Sequence, residues 1–179
     1  DDQFGYALAV GDFDNDGFDD LAIGVPLEAI GATAGAGAVN VLFGSAGGLS
    51  DAGNQLWHQD VAGVADSAEA GDLFGWSVAA GRFNGDGFDD LAIGVVNEDI
   101  GAAANTGAVN LLLGSVAGLT DANDQFWHQD SGAVLDLAGG NEYAPGGGAA
   151  FLTLGAGAVV APWILGFARR AAARRAGAF

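Results

Sequence analysis

Short apolar runs separated by Gly, Asp and Asn fill positions 1–140 of the chain. The first part of this stretch contains four runs of strand length, at positions 6–10, 21–25, 39–43 and 55–58. Glycine-rich turns bound these runs, and none continues into an apolar stripe with the periodicity of a helix. The pattern therefore predicts an all-β structure built from short strands.

The same pattern returns further along the chain without an insertion. The segment at 17–25 recurs unchanged at 87–95, and the Trp-His-Gln-Asp segment at 57–60 recurs at 127–130. We place the first repeat at residues 1–73 and the second at residues 74–139. Four short strands per repeat are typical of a β-propeller blade, and closure of a propeller takes about four to eight blades. The sequence thus predicts two blades of an incomplete propeller.

One loop of the first repeat carries acidic residues in strict alternation. Positions 1, 3, 5 and 9 of this loop are Asp12, Asp14, Asp16 and Asp20, and Gly17 occupies position 6. Calcium takes about six to eight oxygen ligands, and alternating carboxylates on a tight loop converge on one point. The alternative is a solvated polar turn, because Asp and Gly favour turns without any metal.

An EF-hand loop begins in the same way but requires an acidic ligand at position 12 and a helix on each side. Position 12 is Ile23, which lies inside an apolar run of strand character. The loop is therefore expected to join two strands, with Asp20 as a direct ligand.

Three features together resemble the FG-GAP repeat, which forms the blades of integrin α-subunit propellers and of many bacterial surface proteins. They are Phe4-Gly5, the Asp-rich loop and Gly24-Val25-Pro26. The resemblance covers residues 1 to about 139 and implies a calcium loop between the first two strands of each blade. The ligands that it implies are Asp12, Asp14, Asp16, Asp20 and the Phe18 carbonyl in the first repeat, and Asn84, Asp86, Asp90 and the Phe88 carbonyl in the second.

Two departures of the second repeat from this pattern matter most. Arg82 replaces the first acidic residue of the loop, and Val96 replaces the proline at position 26. Arginine stays protonated at any ordinary pH, so it opposes a cation at this loop. We expect the guanidinium either to turn into water or to pair with Asp86 or Asp90. The sequence thus predicts calcium at the first loop and weak or no calcium at the second.

Charge and composition exclude several classes of function. All 23 acidic residues lie in positions 1–142, the formal net charge is −18, and the chain contains neither lysine nor cysteine. A nucleic-acid partner is disfavoured, because binding requires basic residues that neutralise phosphates. The two histidines, His58 and His128, occupy the same place in the two repeats. Since no nucleophile–base pair or phosphate-binding loop is visible, we expect no enzymatic activity.

The C-terminal part of the sequence has a different character. A Gly-rich linker at 140–148 precedes an uncharged segment at 149–168, and four arginines follow within the basic tail at 169–179. A helix of that length just spans a hydrocarbon core of ~30 Å, and the arginines place the tail in the cytoplasm. A buried hairpin is the alternative. The order of glycines, apolar segment and arginines also resembles bacterial glycine–glycine C-terminal sorting signals, which implies cleavage after export.

Together these features predict a calcium-binding module outside the cell, anchored through its C-terminus. The FG-GAP resemblance implies an adhesive or scaffolding role with a protein or polysaccharide ligand, and further blades or self-association to complete the propeller. The alternative is a set of accessory, non-catalytic repeats of a secreted hydrolase.

Overall fold

The computed structural model describes residues 1–132 and 134. These residues form two four-stranded antiparallel sheets, which confirms the all-β prediction. The strands of the first sheet are β1 (Ala7–Gly11), β2 (Asp20–Val25), β3 (Ala38–Phe43) and β4 (Ser50–Trp57). The strands of the second sheet are β5 (Phe74–Gly81), β6 (Asp90–Val95), β7 (Ala108–Ser115) and β8 (Gly118–His128). In both sheets the spatial order follows the chain, as in propeller blades.

The linker, membrane segment and basic tail predicted at 140–148, 149–168 and 169–179 lie outside the described residues. Within residues 1–132 and 134, no helix has the length and apolar character needed to cross a bilayer.

The fourth strand of the first sheet is longer than the apolar pattern predicts. The pattern marks positions 55–58, whereas β4 begins at Ser50. The register of β3 and β4 shifts between Val41 and Phe43, after which Phe43 lies opposite Ser50. The polar residues at the start of β4 therefore belong to the sheet through backbone pairing. Their side chains carry no apolar signal.

Most of the hydrophobic core lies between the two sheets. Strand β5 packs beside β1 and β2, and one cluster of buried side chains includes residues of both blades. Its largest fully buried members are Phe13 from the first repeat and Phe74 and Leu91 from the second. The approach is so close at Gly24 that an added Cβ would stand 2.1 Å from the Gly75 carbonyl oxygen. Glycine is thus required at this point of the blade interface.

Backbone and side-chain hydrogen bonds also join the two blades. The Gln55 side chain accepts from the Leu119 N–H and donates to the Leu119 carbonyl, each at 3.0 Å. The Phe74 N–H donates to the Ala36 carbonyl at 2.9 Å. These bonds satisfy polar groups that the interface would otherwise bury without partners. The two blades therefore form one packed unit.

Candidate metal site in the first blade

The loop between β1 and β2 brings three carboxylates together. Ligand oxygens of Asp12, Asp14 and Asp20 all lie within 4.8 Å of one another. The chain reverses at Asn15 and Gly17, whose φ angles of 57° and 92° fall in the left-handed region. Asn and Gly tolerate that conformation best, so the local sequence suits the turn. Across residues 1–132 and 134, this is the one place where three His, Cys, Asp or Glu side chains meet in this way.

Asp20 is the buried member of the group. It is 1% exposed, and its two carboxylate oxygens accept the backbone N–H groups of Phe13 at 2.9 Å and Gly44 at 2.8 Å. Burial raises the pKa of this carboxyl despite those bonds, and the charges of Asp14 and Asp12 add to the effect. Each carboxylate oxygen has two lone pairs, so Asp20 retains acceptor capacity for a cation.

Asp12 and Asp14 are half-buried beside Asp20. The pKa of Asp14 is raised, first by desolvation and then by the charges of Asp16 and Asp12. Three carboxylates this close repel one another, and a divalent cation would remove that cost. The donor set consists only of hard oxygen atoms, which fits calcium. A bound divalent ion would offset two of the three negative charges and connect the start of the loop at Asp12 to its end at Asp20.

Asp16 is not part of this group. It is exposed, and one of its carboxylate oxygens accepts the Phe18 N–H at 2.8 Å. Its own N–H donates to carboxylate oxygens of both Asp12 and Asp14, at 3.0 and 3.1 Å. The backbone of Asp16 thus orients the two acids. Metal ligation by its side chain and by the Phe18 carbonyl stays a prediction.

The corresponding loop of the second blade has the same frame but different chemistry. Asp90 is fully buried, and its oxygens accept the N–H groups of Phe83 at 2.7 Å and Gly114 at 2.9 Å, as Asp20 does in the first blade. The Asn84 amide donates to Asp86 at 2.7 Å. That bond joins two of the predicted ligands directly to each other. The Phe88 N–H caps the other Asp86 oxygen at 3.0 Å, and ligation by the Phe88 carbonyl stays a prediction.

Of the two expected placements of Arg82, pairing with Asp86 or Asp90 is wrong, whereas the side chain does reach water, being 58% exposed. Its Nε donates to Asp89 Oδ1 at 3.0 Å. Asp90 points inward to its backbone partners, and Asp86 is engaged by Asn84, which leaves Asp89 as the acid within reach. The second Asp89 oxygen accepts the Asp12 N–H at 2.9 Å. Asp89 therefore links the acidic loop of the first blade to Arg82 of the second.

A buried polar pair between the blades has no counterpart in the sequence-based predictions. Gln59 and Glu98 are each 1% exposed, and the Gln59 amide donates to Glu98. Burial raises the pKa of Glu98 to about 8, and the neighbouring Asp66 contributes to the increase. Glu98 occupies the position in the second repeat that Glu28 holds in the first, and that recurrence is the signal that could have marked it.

Two segments of the chain, at 4–42 and 74–112, match the FG-GAP repeat. This chain carries two FG-GAP repeats. Each match begins at the Phe-Gly pair, includes the Asp-rich or Asn-containing loop, and ends in the third strand of its blade.

Several known proteins are similar to this FG-GAP chain. Mouse integrin alpha-E is 44% identical over 98 residues, which cover 51% of this chain and 8% of the integrin. Drosophila integrin alpha-PS3 is 35% identical over 99 residues, which cover 54% of this chain and 8% of the integrin. Bovine phosphatidylinositol-glycan-specific phospholipase D is 29% identical over 163 residues, which cover 82% of this chain and 19% of the phospholipase. The chain thus spans less than a fifth of the length of each of these relatives.

Proposed function

We propose that this FG-GAP chain is an extracellular, non-enzymatic module that binds calcium at its first loop and serves adhesion or scaffolding at the cell surface. The observation that carries the proposal is the group formed by Asp12, Asp14 and Asp20, whose oxygens lie within 4.8 Å of one another. Similarity to integrin α-subunits supports the adhesive role, with a protein or polysaccharide ligand. Membrane attachment through residues 149–168, with or without cleavage, belongs to the same proposal.

Calorimetric titration with calcium tests the metal site. We expect the unmodified chain to bind one ion, and Asp14→Ala to weaken binding at least tenfold, which is about 1.4 kcal/mol. The reason is that the substitution removes one of three converging carboxylates. Asp51→Ala is the matched control, because Asp51 is an exposed aspartate on β4 that does not belong to the group of three carboxylates. Equal affinity in the unmodified chain and Asp14→Ala would exclude the assignment.

The difference between the two loops gives a second test. Arg82→Asp restores a carboxylate at the first position of the second loop and removes a fixed cation. We expect this variant to bind two calcium ions where the unmodified chain binds one, as counted by calorimetry. Arg82→Ala serves as the control, because it removes the cation without supplying a ligand, and it should bind one ion. Two ions of similar affinity in the unmodified chain would show that ligand charge does not decide occupancy.

A second candidate function is that of accessory repeats of a secreted hydrolase. The phospholipase D similarity favours it, since that match extends over 82% of the chain. The complete reading frame separates the candidates. A catalytic domain in the same polypeptide supports the accessory role, whereas further repeats alone support the adhesive role.

A further inference from the structure

Equivalent residues of the two repeats differ in exposure, depending on whether a neighbouring blade packs against them. Phe74 starts β5 and is 0% exposed, because it packs against the first blade, whereas its equivalent Phe4 is 65% exposed. Leu119 is buried in the interface, and its equivalent Leu49 is exposed. Further exposed apolar residues lie on β1. We call this surface of the first blade the leading face, and it comprises Phe4, Leu8, Val10 and Leu49.

The opposite side of the second blade shows the converse. Phe13 is 0% exposed because it lies in the shared core, whereas its equivalent Phe83 is 43% exposed. The buried residues Val39 and Trp57 likewise correspond to exposed residues of the second repeat. We call this surface the trailing face, and it comprises Phe83, Val109 and Trp127.

The leading face and the trailing face are of the two types that already pack together inside the chain, where the interface joins a trailing face to a leading face. The trailing face of the first blade meets the leading face of the second, and the two repeats carry both patterns in the same order without an insertion. We propose that the trailing face of one copy docks on the leading face of a second copy, in the arrangement that joins the two blades within one chain. Association of this kind is head-to-tail, and it gives a ring if the rotation between copies closes and an open filament if it does not.

Polar groups at the proposed junction also match. Gln55 bonds both backbone groups of Leu119 across the internal interface, and its equivalent Gln125 lies at the same position of the second blade. In a second copy, the backbone of Leu49 occupies the place of Leu119. The head-to-tail arrangement thus supplies a partner for the Gln125 amide.

One local charge pair distinguishes the junction between copies from the internal one, although the net charge of −18 on each copy opposes association at low salt. Within the chain, Asp12 lies beside Asp89, and the contact is made through the Asp12 backbone N–H. Between copies, Arg82 takes the place of Asp12, and the exposed Asp19 of the next copy takes the place of Asp89. The guanidinium has five N–H donors and uses its Nε toward Asp89, so others can reach Asp19. The two acids that are neighbours at the internal junction, Asp12 and Asp89, thus correspond to a cation and an acid, Arg82 and Asp19, at the junction between copies.

Cysteine cross-linking tests the geometry, because the chain contains no cysteine of its own. Inside the chain, the Ala80 Cβ lies 3.1 Å from the place of a Cβ on Gly11. A disulfide needs about 3.5–4.5 Å between Cβ atoms, so small backbone adjustments allow one. The equivalent pair between copies is Gly81 in one chain and Val10 in the next. Gly81 has no positive φ angle and therefore accepts a side chain.

We expect Gly81→Cys mixed with Val10→Cys, in nonionic detergent under mild oxidation, to give mostly disulfide-linked dimers on a non-reducing gel. Val116→Cys replaces Gly81→Cys in the matched control and should give background cross-linking. Val116 and its equivalent Ala46 are both exposed, so this position lies outside either face. Background yield in the test mixture overturns the proposal. Efficient cross-linking of Gly81→Cys with itself shows a face-to-face dimer and also overturns it.

A second measurement guards against cysteine variants that fold poorly. Leu8→Asp disables only the leading face, and Val109→Asp disables only the trailing face. Light scattering should therefore find each variant monomeric alone, while an equimolar mixture forms a one-to-one dimer through the two intact faces. Association of either variant alone, or a mixture that stays monomeric, contradicts head-to-tail docking.

Discussion

Replacing Asp20 by alanine is expected to lower the free energy of unfolding by roughly 2–5 kcal/mol, measured by urea denaturation in the presence of a chelator. The carboxylate is buried and accepts the N–H groups of Phe13 and Gly44, which then lose their partner. A buried donor without a partner costs about 1–3 kcal/mol. The loss therefore arises without any metal, and it is partly offset because the substitution also relieves the repulsion of Asp20 by Asp12 and Asp14.

The second blade offers an internal comparison for this result. Asp90 accepts the equivalent N–H groups of Phe83 and Gly114, so Asp90→Ala should destabilise the chain by a similar amount. Asp51→Ala, at an exposed site on β4, should change stability by less than about 0.5 kcal/mol. A loss below about 1 kcal/mol in Asp20→Ala with chelator present would show that Asp20 acts only through the metal.

The second large effect concerns Glu98 and pH. The pKa of Glu98 is about 8 in the folded chain, which therefore holds this proton up to that pH, whereas the unfolded chain releases it near the ordinary value of 4.5. The contribution of Glu98 to the free energy of unfolding is therefore fully present below pH 4.5 and is lost as the pH rises to about 8. Between these pH values the free energy of unfolding falls by at most about 1.4 kcal/mol per pH unit. Substitution by glutamine should abolish this dependence and make the chain more stable at pH 8.

Urea denaturation of Glu98→Gln and the unmodified chain between pH 5 and pH 8 measures this difference, at constant saturating calcium. The variant side chain has an available partner, since Gln59 Oε1 is buried without one in the structure. Glu28→Gln is the matched control, because Glu28 holds the equivalent position in the first blade and is only half-buried. Parallel stability curves for the unmodified chain and Glu98→Gln would show that Glu98 is ionised in the folded protein.

The sequence alone determined the elements and their repetition. Short apolar runs between glycine-rich turns specify strands. A strand of a few residues places alternate side chains on the apolar face of a sheet, and the glycines between the runs allow the chain to reverse tightly. The identity of the segment at 17–25 with that at 87–95 then established two equivalent blades. The alternating acids from Asp12 to Asp20 marked the loop, since spacing along a tight turn is a local property. The start of β4 was missed because it depends on a register shift and polar residues.

Only the tertiary structure decided which hydrogen bonds and ion pairs individual side chains form. Asp16 shares the alternation of Asp12 and Asp14, yet its side chain caps the Phe18 N–H instead of joining the group. Arg82 pairs with Asp89, because backbone donors from distant strands already hold Asp90 inward. Such choices depend on hydrogen bonds to residues far along the chain, which spacing does not encode.

Burial was likewise set by the neighbouring blade. Phe13 and Phe83 occupy the same position in nearly the same local sequence, but only Phe13 has a blade packed over it. Glu98 and Glu28 differ in the same way. A residue's local sequence specifies which face of a strand it occupies, whereas its exposure and its pKa depend on what packs against that face.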